Sequence, residues 1–258
     1  MGVFGTLIGA GGGFILVPVL LLLYPDKSPE TITSISLAVV FLNSLSGSLS
    51  YARMKLIDYK SGLVLATTTV PASILGAYTT AYIPREMFNG LFAFLLIILA
   101  AYLFIRSNRD AKQEESNERH SFSRKIVDAE GIVHTYSYNP VLGLITGAFI
   151  GYISSLLGIG GGIIHVPVLI HLLNFPVHLA TATSHFMLAI MSLSGTLVHL
   201  INGLLTDGVG QIVAIGIGVI IGAPLGAKFS RSIKGNWIQR SLAVALGLVG
   251  IRLLFSAF

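Results

Sequence analysis

The sequence predicts an all-α integral membrane protein with about eight hydrophobic segments, arranged as two four-segment repeats that each open with a glycine-broken helix. Three observations support this fold class. Hydrophobic residues make up 53% of the 258 residues and charged residues only 10%, whereas a soluble domain carries about a quarter charged residues. Long stretches are apolar around the whole helix, as helices in lipid are. In addition, one glycine-rich motif occurs twice.

Several nearly uncharged stretches approach the roughly 20 apolar residues that span a bilayer core. They cover residues 63–81, 91–105, 141–157, 185–201, 212–227 and 242–254. No basic leader with a small-residue cleavage site is visible at the start of the sequence, so a cleavable signal peptide is not predicted. We therefore expect a multi-pass protein of the cytoplasmic membrane, surrounded by the lipid bilayer.

The glycine-rich motif marks an internal duplication. The sequence from Gly9 to Leu20 is nearly repeated from Gly158 to Leu169, which lies 149 positions later. Two shorter matches follow at almost the same spacing, 45–48 with 193–196 and 75–77 with 225–227. The chain is therefore divided into a first membrane repeat (1–105), a linker (106–139) and a second membrane repeat (140–258).

Each repeat contains four hydrophobic segments. They are predicted at residues 2–24, 31–53, 61–83 and 86–105 in the first repeat and at 141–173, 179–202, 209–230 and 237–255 in the second. The first repeat lacks about eleven residues of the opening helix that its counterpart has. We interpret Met1 as a truncated or misassigned start.

The linker is polar and cannot lie in lipid, because it carries six basic and six acidic residues. Within it, Lys125 to Tyr138 favours a β-hairpin, with the Ala-Glu-Gly sequence of residues 129–131 at the turn and strand-forming Thr and Tyr residues after it. We expect a solvated linker, and a regulatory or partner-binding role is the alternative.

The Lys and Arg residues distinguish two topologies, because these residues mark the cytoplasmic side of a membrane. If all eight segments cross, ten of the sixteen basic residues share one side. If each glycine-rich segment enters and returns without crossing, thirteen share one side and only Lys27, Arg85 and Arg252 lie on the other. The second topology inverts one repeat relative to the other and places the linker in the cytoplasm.

The glycines predict a break within each opening segment. Each glycine costs about 1 kcal/mol relative to alanine in a helix interior, so the helix should stop over Gly9–Gly13 and Gly158–Gly162 and restart near Phe14 and Ile163. The first N–H groups of a restarted helix are unpaired and carry partial positive charge, and glycine lets an oxyanion approach them. Two such starts would form an anion cradle; close helix packing is the alternative.

Polar residues on the second segment of each repeat extend this candidate site. Hydroxyl, amide and imidazole groups can donate hydrogen bonds to an oxyanion, although serine in membrane helices more often bonds its own backbone. Buried histidines are often functional in membranes, so His165 and His185 are candidates for proton coupling. The candidate substrate-binding residues are Gly11, Gly12, Gly13, Gly160, Gly161, Gly162, Ser36, Asn43, Ser46, Ser184, His185 and Ser194.

Several functional classes find no support in the sequence. The absence of cysteine excludes disulfides and thiolate chemistry. No histidine pair has the spacing of a zinc motif, no nucleophile motif is present and the spans carry almost no carboxylates, so we expect no metal, no cofactor and no enzyme activity. The net charge of +5 comes from residues beside the spans, so nucleic acid is not an expected partner. The alternatives to a small-anion transporter are an anion channel, an intramembrane enzyme, and an assembly or sensor protein.

The doubled G-x-G-G-G-x-x-x-V-P-V-L motif, the four hydrophobic segments per repeat and the polar mid-chain loop resemble the TauE/SafE sulfite-exporter family. The resemblance covers nearly the whole chain apart from the linker tip. It implies a permease that exports or takes up sulfite, sulfonates or related sulfur anions, with the glycines at 11–13 and 160–162 as its paired motif. The stretch from Asp128 to Asn139 is similar to the loop of members from Gram-positive bacteria.

Overall fold

The computed structural model describes residues 1–106 and 122–232, together with 243–244, 247–248 and 250–251. Within these residues the chain forms helices and one β-hairpin. The elements are α1 (Gly2–Leu7), α2 (Gly13–Leu23), α3 (Pro29–Arg53), α4 (Tyr59–Thr80), α5 (Arg85–Arg106), β1 (Phe122–Val127), β2 (Val133–Tyr138), α6 (Pro140–Leu156), α7 (Gly162–His171), α8 (Val177–Ile201), a 3-10 turn (Thr206–Gly208) and α9 (Val209–Ser232). The predicted last segment, 237–255, lies mostly outside the described residues.

Capping residues fix where the helices begin. The Ser28 hydroxyl accepts a hydrogen bond from the N–H of Thr31 at 3.2 Å, and the Asn139 side chain accepts one from the N–H of Val141 at 3.0 Å. A proline follows each cap at the first helical position, where its missing N–H has no cost. As a result, α3 begins two residues before the predicted start at residue 31.

The helices have the length and surface of membrane-spanning elements. Four of the described helices are long and apolar enough to cross a membrane, namely α3, α4, α8 and α9 with its preceding turn, while α2, α6 and α7 are apolar but shorter. Large hydrophobic side chains face outwards, including Leu23 and Ile145, which are 67% and 65% exposed. Such a surface suits lipid rather than water. The prediction of a mostly helical membrane protein is confirmed, and the β-hairpin is its non-helical part.

The two halves of the chain interleave. Helix α6 packs along α4 and α1 packs along α9, while α3 and α8 pack against each other between them. Glycines allow the close approach: Gly76 of α4 touches the carbonyl of Tyr152 in α6, and Gly226 of α9 touches the carbonyl of Val3 in α1. Small residues commonly let membrane helices meet in this way. The opening helix of each half therefore packs along a long helix of the other half, α6 along α4 and α1 along α9.

An antiparallel hairpin occupies the predicted part of the linker. Its pairs run from Phe122 with Tyr138 to Val127 with Val133, so the first strand begins three residues before the predicted start. The Asp128 carboxylate closes the turn by accepting hydrogen bonds from the N–H groups of Glu130 and Ile132, both at 2.9 Å.

This hairpin docks on one end of the helix bundle. Arg124 donates two hydrogen bonds to the carboxylate of Asp58, at 2.8 and 2.7 Å, and the Tyr136 hydroxyl donates a third at 2.6 Å. Phe175 packs against Tyr136 and Tyr138, with ring centroids 4.3 and 5.5 Å apart. The hairpin thus joins the α3–α4 loop, which holds Asp58, to the α7–α8 loop, which holds Phe175.

Docking of the hairpin should be insensitive to pH over the neutral range. Burial alone raises the pKa of Asp58, but hydrogen bonds from Arg124, Tyr136 and Ser61 outweigh it and lower the pKa to about 2. A carboxyl with a lowered folded-state pKa stabilises the fold above its unfolded pKa of 3.8 and loses this contribution as the pH falls towards 2. Hydrogen exchange of residues 122–138, corrected for intrinsic rates, should show equal protection from about pH 8 to pH 5. A steady loss of protection across that range would contradict this assignment.

Candidate functional site

Each opening segment is broken at its glycines, as predicted. The first glycine loop (residues 8–12) separates α1 from α2, and the second glycine loop (residues 157–161) separates α6 from α7. Gly12 and Gly161 precede the restarted helices with φ of 84° and 89°, a conformation that side chains rarely adopt. Both helices restart one residue earlier than predicted, at Gly13 and Gly162.

The segment formed by α6 and α7 enters and leaves the bundle at the same end. Helix α6 starts at Pro140, directly after the hairpin, and Phe175, four residues after α7, packs back against the hairpin. Between these points the chain reaches the buried second glycine loop. The half-helices α6 and α7 therefore form a re-entrant pair with the glycine loop at its tip.

The two glycine loops meet in the interior of the bundle. A Cβ built on Gly13 would lie 2.6 Å from the carbonyl oxygen of Ile159, and one built on Gly162 would overlap the carbonyl oxygen of Gly9. All residues from 8 to 13 and from 157 to 162 are buried. The start of each restarted helix is thus seated on the glycine loop of the other half.

Ser36 and Ser184 hold these loops from the opposite half. The Ser36 hydroxyl donates to the carbonyl oxygen of Gly158 at 2.6 Å, and the Ser184 hydroxyl donates to that of Gly9 at 3.2 Å. The two serines lie 148 positions apart, at the spacing of the repeat. Both predicted residues are therefore brought to the glycine loops, where their hydroxyls bind backbone.

Asn43 and His185 meet at the first glycine loop. The Asn43 amide donates to the carbonyl oxygen of Gly11 at 3.1 Å. The Thr6 hydroxyl lies 3.3 Å from Asn43 Oδ1 and 3.2 Å from His185 Nε2, and Tyr51 donates to the carbonyl oxygen of Thr6 at 2.8 Å. This network fixes the first glycine loop to α3 and α8.

Two other predicted residues use their hydroxyls elsewhere. Ser46 donates to the carbonyl oxygen of Ile220 in α9 at 2.9 Å, and Ser194 donates to that of Ile190 in its own helix at 2.9 Å. Both are half-buried. Such bonds to helix backbone are usual for serine in membrane helices.

Backbone N–H groups without a protein acceptor surround the two helix starts. Among the described residues, no carbonyl accepts from the N–H groups of Gly12, Gly13, Gly161 or Gly162. The first N–H groups of any helix lack intrahelical partners, and the helix dipole adds partial positive charge there. A small anion is the ligand that such groups bind best.

The polar environment of the loops is neutral. In the part of the chain that the structure describes, the buried carboxylates are Asp58 and Asp128, which belong to the hairpin and its contact, and no Lys or Arg side chain is buried. The buried polar residues of the helices are Ser, Thr, Asn and His. The partial positive charge at these loops therefore comes from backbone dipoles and neutral hydrogen-bond donors.

Sequence inspection missed Thr6, Tyr51, Ser154 and Ser155. Thr6, Ser154 and Ser155 have no exposed surface, and the two serines come just before the second glycine loop. Thr6 and Ser155 correspond in the repeat, since they lie 149 positions apart. This repeated hydroxyl is the signal that could have identified them.

Two open cavities on the surface of α3 and α8 have a different character. They measure about 320 and 330 Å³, and both include Phe41. Their walls are almost wholly apolar side chains such as Leu45, Leu193 and Leu200. They suit hydrocarbon chains rather than an anion.

Comparison with known proteins identifies the family. The sulfite exporter TauE/SafE family model matches residues 1–253. The chain is 32% identical to the probable membrane transporter protein YunE of Bacillus subtilis, over 98% of this chain and 93% of that protein. It is 26% identical to the probable membrane transporter protein YdhB of the same organism, over 99% of this chain and 96% of that protein. It is 27% identical to a probable membrane transporter protein of Methanocaldococcus jannaschii, over 98% of this chain and 91% of that protein.

No solved structure matches the chain. The family match extends over both glycine loops and the hairpin. This protein is a membrane transporter of the sulfite exporter TauE/SafE family.

Proposed function

We infer that the chain is a secondary transporter that carries a small anion, such as sulfite, an organosulfonate or a related sulfur oxyanion, across the cytoplasmic membrane. The observation that carries this inference is the meeting of two helix starts, with unpaired N–H groups, in the bundle interior. Broken backbone at membrane depth is tolerated where it lines a cavity or is buried in protein. Half-helix N-termini directed at an anionic group are a recurring transporter design.

The proposal includes two inverted repeats, 1–105 and 140–258. Helix α7 leads back to the hairpin. Helix α2 instead leads to the loop that holds Lys27, whose side chain donates a hydrogen bond to the carbonyl oxygen of Asp207. Asp207 follows α8 in the chain and therefore lies at the end of the bundle away from the hairpin. The two restarted helices therefore run to opposite ends of the bundle. Arg53, Lys55 and Lys60 are close in sequence to Asp58, which contacts the hairpin. Lys and Arg residues mark the cytoplasmic side of a membrane, so these three support a cytoplasmic hairpin.

Thermal unfolding of the purified protein tests the anion specificity. The panel is sulfite, sulfate, thiosulfate, sulfoacetate, taurine, phosphate and acetate. A ligand at a hundred times its Kd stabilises a protein by about 2.7 kcal/mol, so a selective rise in Tm with a sulfur anion is expected. Saturable uptake of that anion into proteoliposomes would distinguish a carrier from a channel, and absence of any shift in folded protein would contradict the proposal.

Gly161→Ala should weaken anion binding at least tenfold, about 1.4 kcal/mol. The added Cβ would lie 2.7 Å from Met191 Cε and 2.9 Å from Ser154 Oγ, at the start of α7. Gly203→Ala is the matched control, because Gly203 also has positive φ, 75°, but in the part of the chain that the structure describes no atom lies within 4 Å of its Cβ position. Both variants carry the same backbone strain, so equal Kd values for the two would contradict a binding role for Gly161. Titration calorimetry with the anion that shifts Tm measures the difference.

A further inference from the structure

The repeat allows the two halves to be compared position by position. On α3, residues Asn43, Gly47 and Tyr51 form a stripe with one residue per helical turn, and on α8 the corresponding residues, 148 positions later, are Met191, Gly195 and His199. Each stripe faces the end of an opening helix. A Cβ on Gly47 would lie 2.9 Å from Thr6 Cγ2, and a Cβ on Gly195 would lie 2.9 Å from Ser155 Oγ. The two halves share this geometry but differ in their side chains.

In the first half, hydrogen bonds link the polar groups to one another, and His185 Nδ1 is the one atom of this network without a partner among the described residues. Thr6, Asn43, Tyr51 and His185 are joined by the hydrogen bonds described above. The imidazole of His185 fills the space beside Gly47, where the second half has Leu37 beside Gly195. This side of the glycine loops is therefore occupied by protein.

In the second half, the equivalent polar groups lack partners. The hydroxyls of Ser154 and Ser155 and both ring nitrogens of His199 have no hydrogen bond within the described structure, and all three residues have no exposed surface. A buried polar group without a partner destabilises the fold, because it loses its hydrogen bonds to water and gains none. Native proteins retain such groups where a ligand or water completes them.

One of these unpaired groups, the Ser154 hydroxyl, lies beside the start of α7. Ser154 Oγ is 2.9 Å from the Cβ position of Gly161, the residue that precedes α7. Ser155 Oγ lies against Gly195, and His199 is one turn further along the same face of α8. Met191, one turn before Gly195, covers Gly161 on this side. Hydroxyl, imidazole and backbone N–H donors are thus collected along one side of the second half.

We propose that one small oxyanion binds each chain in the second half only, held by Ser154, Ser155, His199 and the N–H groups at the start of α7. This assignment rests on the proposed function and specifies its binding residues. Because the donors are neutral and no Lys or Arg is buried among the described residues, they replace the hydration of a singly charged oxyanion better than that of a dianion. The substrate class is therefore a sulfonate or another monoanionic oxyanion.

The test uses matched substitutions in the two halves of the full chain, with methanesulfonate and sulfate as probes in titration calorimetry and thermal unfolding. Ser155→Ala and His199→Phe should each weaken methanesulfonate binding at least tenfold and leave the ligand-free Tm unchanged or higher, because the groups removed have no partner. Thr6→Ala and Tyr51→Phe, at the corresponding positions, should lower the ligand-free Tm and leave Kd within twofold. Sulfate should bind the unaltered protein at least tenfold more weakly than methanesulfonate.

The outcomes separate this assignment from the proposed function. Unchanged Kd in Ser155→Ala and His199→Phe, or tenfold losses in the first-half variants instead, would overturn the second-half site while leaving anion transport intact. Tighter binding of sulfate than of methanesulfonate would overturn the monoanion class. If the folded, unaltered protein binds no oxyanion of the wider panel, the proposed function fails, and this site fails with it.

Discussion

Gly162→Ala and Gly13→Ala should each lower the free energy of unfolding by about 1–3 kcal/mol, as overpacking of a close-packed interior does, and should abolish transport. The added methyl group of Gly162→Ala would overlap the carbonyl oxygen of Gly9, and that of Gly13→Ala would lie 2.6 Å from the carbonyl oxygen of Ile159. Backbone atoms cannot rotate away as a side chain can. The glycine loops must therefore separate, which displaces the starts of α2 and α7.

A glycine elsewhere in the bundle supplies the control. Gly218 lies inside α9, and no atom of the described residues comes within 4 Å of its Cβ position. Gly218→Ala should be neutral or stabilise the helix by about 0.5–1 kcal/mol. Thermal unfolding in detergent and uptake into proteoliposomes measure the two effects. Wild-type Tm and uptake in Gly162→Ala would show that the loops do not meet as described.

The second large effect is expected at the hairpin, where Asp58→Asn should undock it. Asparagine keeps the size of the side chain but replaces the carboxylate, which accepts hydrogen bonds from Arg124 and Tyr136, with a neutral amide. Removing one partner of a buried pair typically costs about 3–5 kcal/mol. We expect Asp58→Asn to lower the free energy of hairpin docking by about 2–3 kcal/mol, which is below this range. The loss is smaller because the Arg124 side chain is 19% exposed and can form hydrogen bonds with water once the pair is broken.

Limited proteolysis measures the release of the hairpin. Cleavage by trypsin after Lys125 requires the first strand to open, and a loss of about 2–3 kcal/mol corresponds to roughly 30- to 150-fold faster cleavage. Asp207→Asn is the control, because Asp207 is exposed at the opposite end of the bundle and, among the described residues, its backbone carbonyl rather than its side chain accepts the hydrogen bond from Lys27. Equal cleavage rates in the two variants would mean that the hairpin is held by other contacts.

The glycine breaks were predictable because they depend on local chemistry. A run such as Gly11–Gly13 disfavours a helix interior by about 1 kcal/mol per glycine, and its recurrence at Gly160–Gly162 indicates a shared role. The hairpin was predictable for a similar reason, since strand-forming residues flank the Ala-Glu-Gly turn at 129–131. These features required no knowledge of which helices pack together.

The residues that the sequence did not predict depend on packing partners. Nothing local to Gly76 indicates that α6, rather than a neighbour in the same half, will lie against it. Likewise, Ser46 and Ser194 repeat between the halves, yet their hydroxyls bind helix backbone. Ser155 shows the reverse: its hydroxyl repeats that of Thr6 in the first half, but its burial without a partner is visible only in the structure.

The docked hairpin gives the two ends of the bundle unequal stiffness. At its end, a buried ion pair and the packed rings of Tyr136 and Phe175 bind two loops together. At the other end, the facing loops share the hydrogen bond from Lys27 to the carbonyl of Asp207. For a carrier that admits its cargo from alternate sides, the work of opening is larger on the hairpin side. In such a carrier, a strand pair at one end of the bundle biases the balance between the two open states without contacting the cargo.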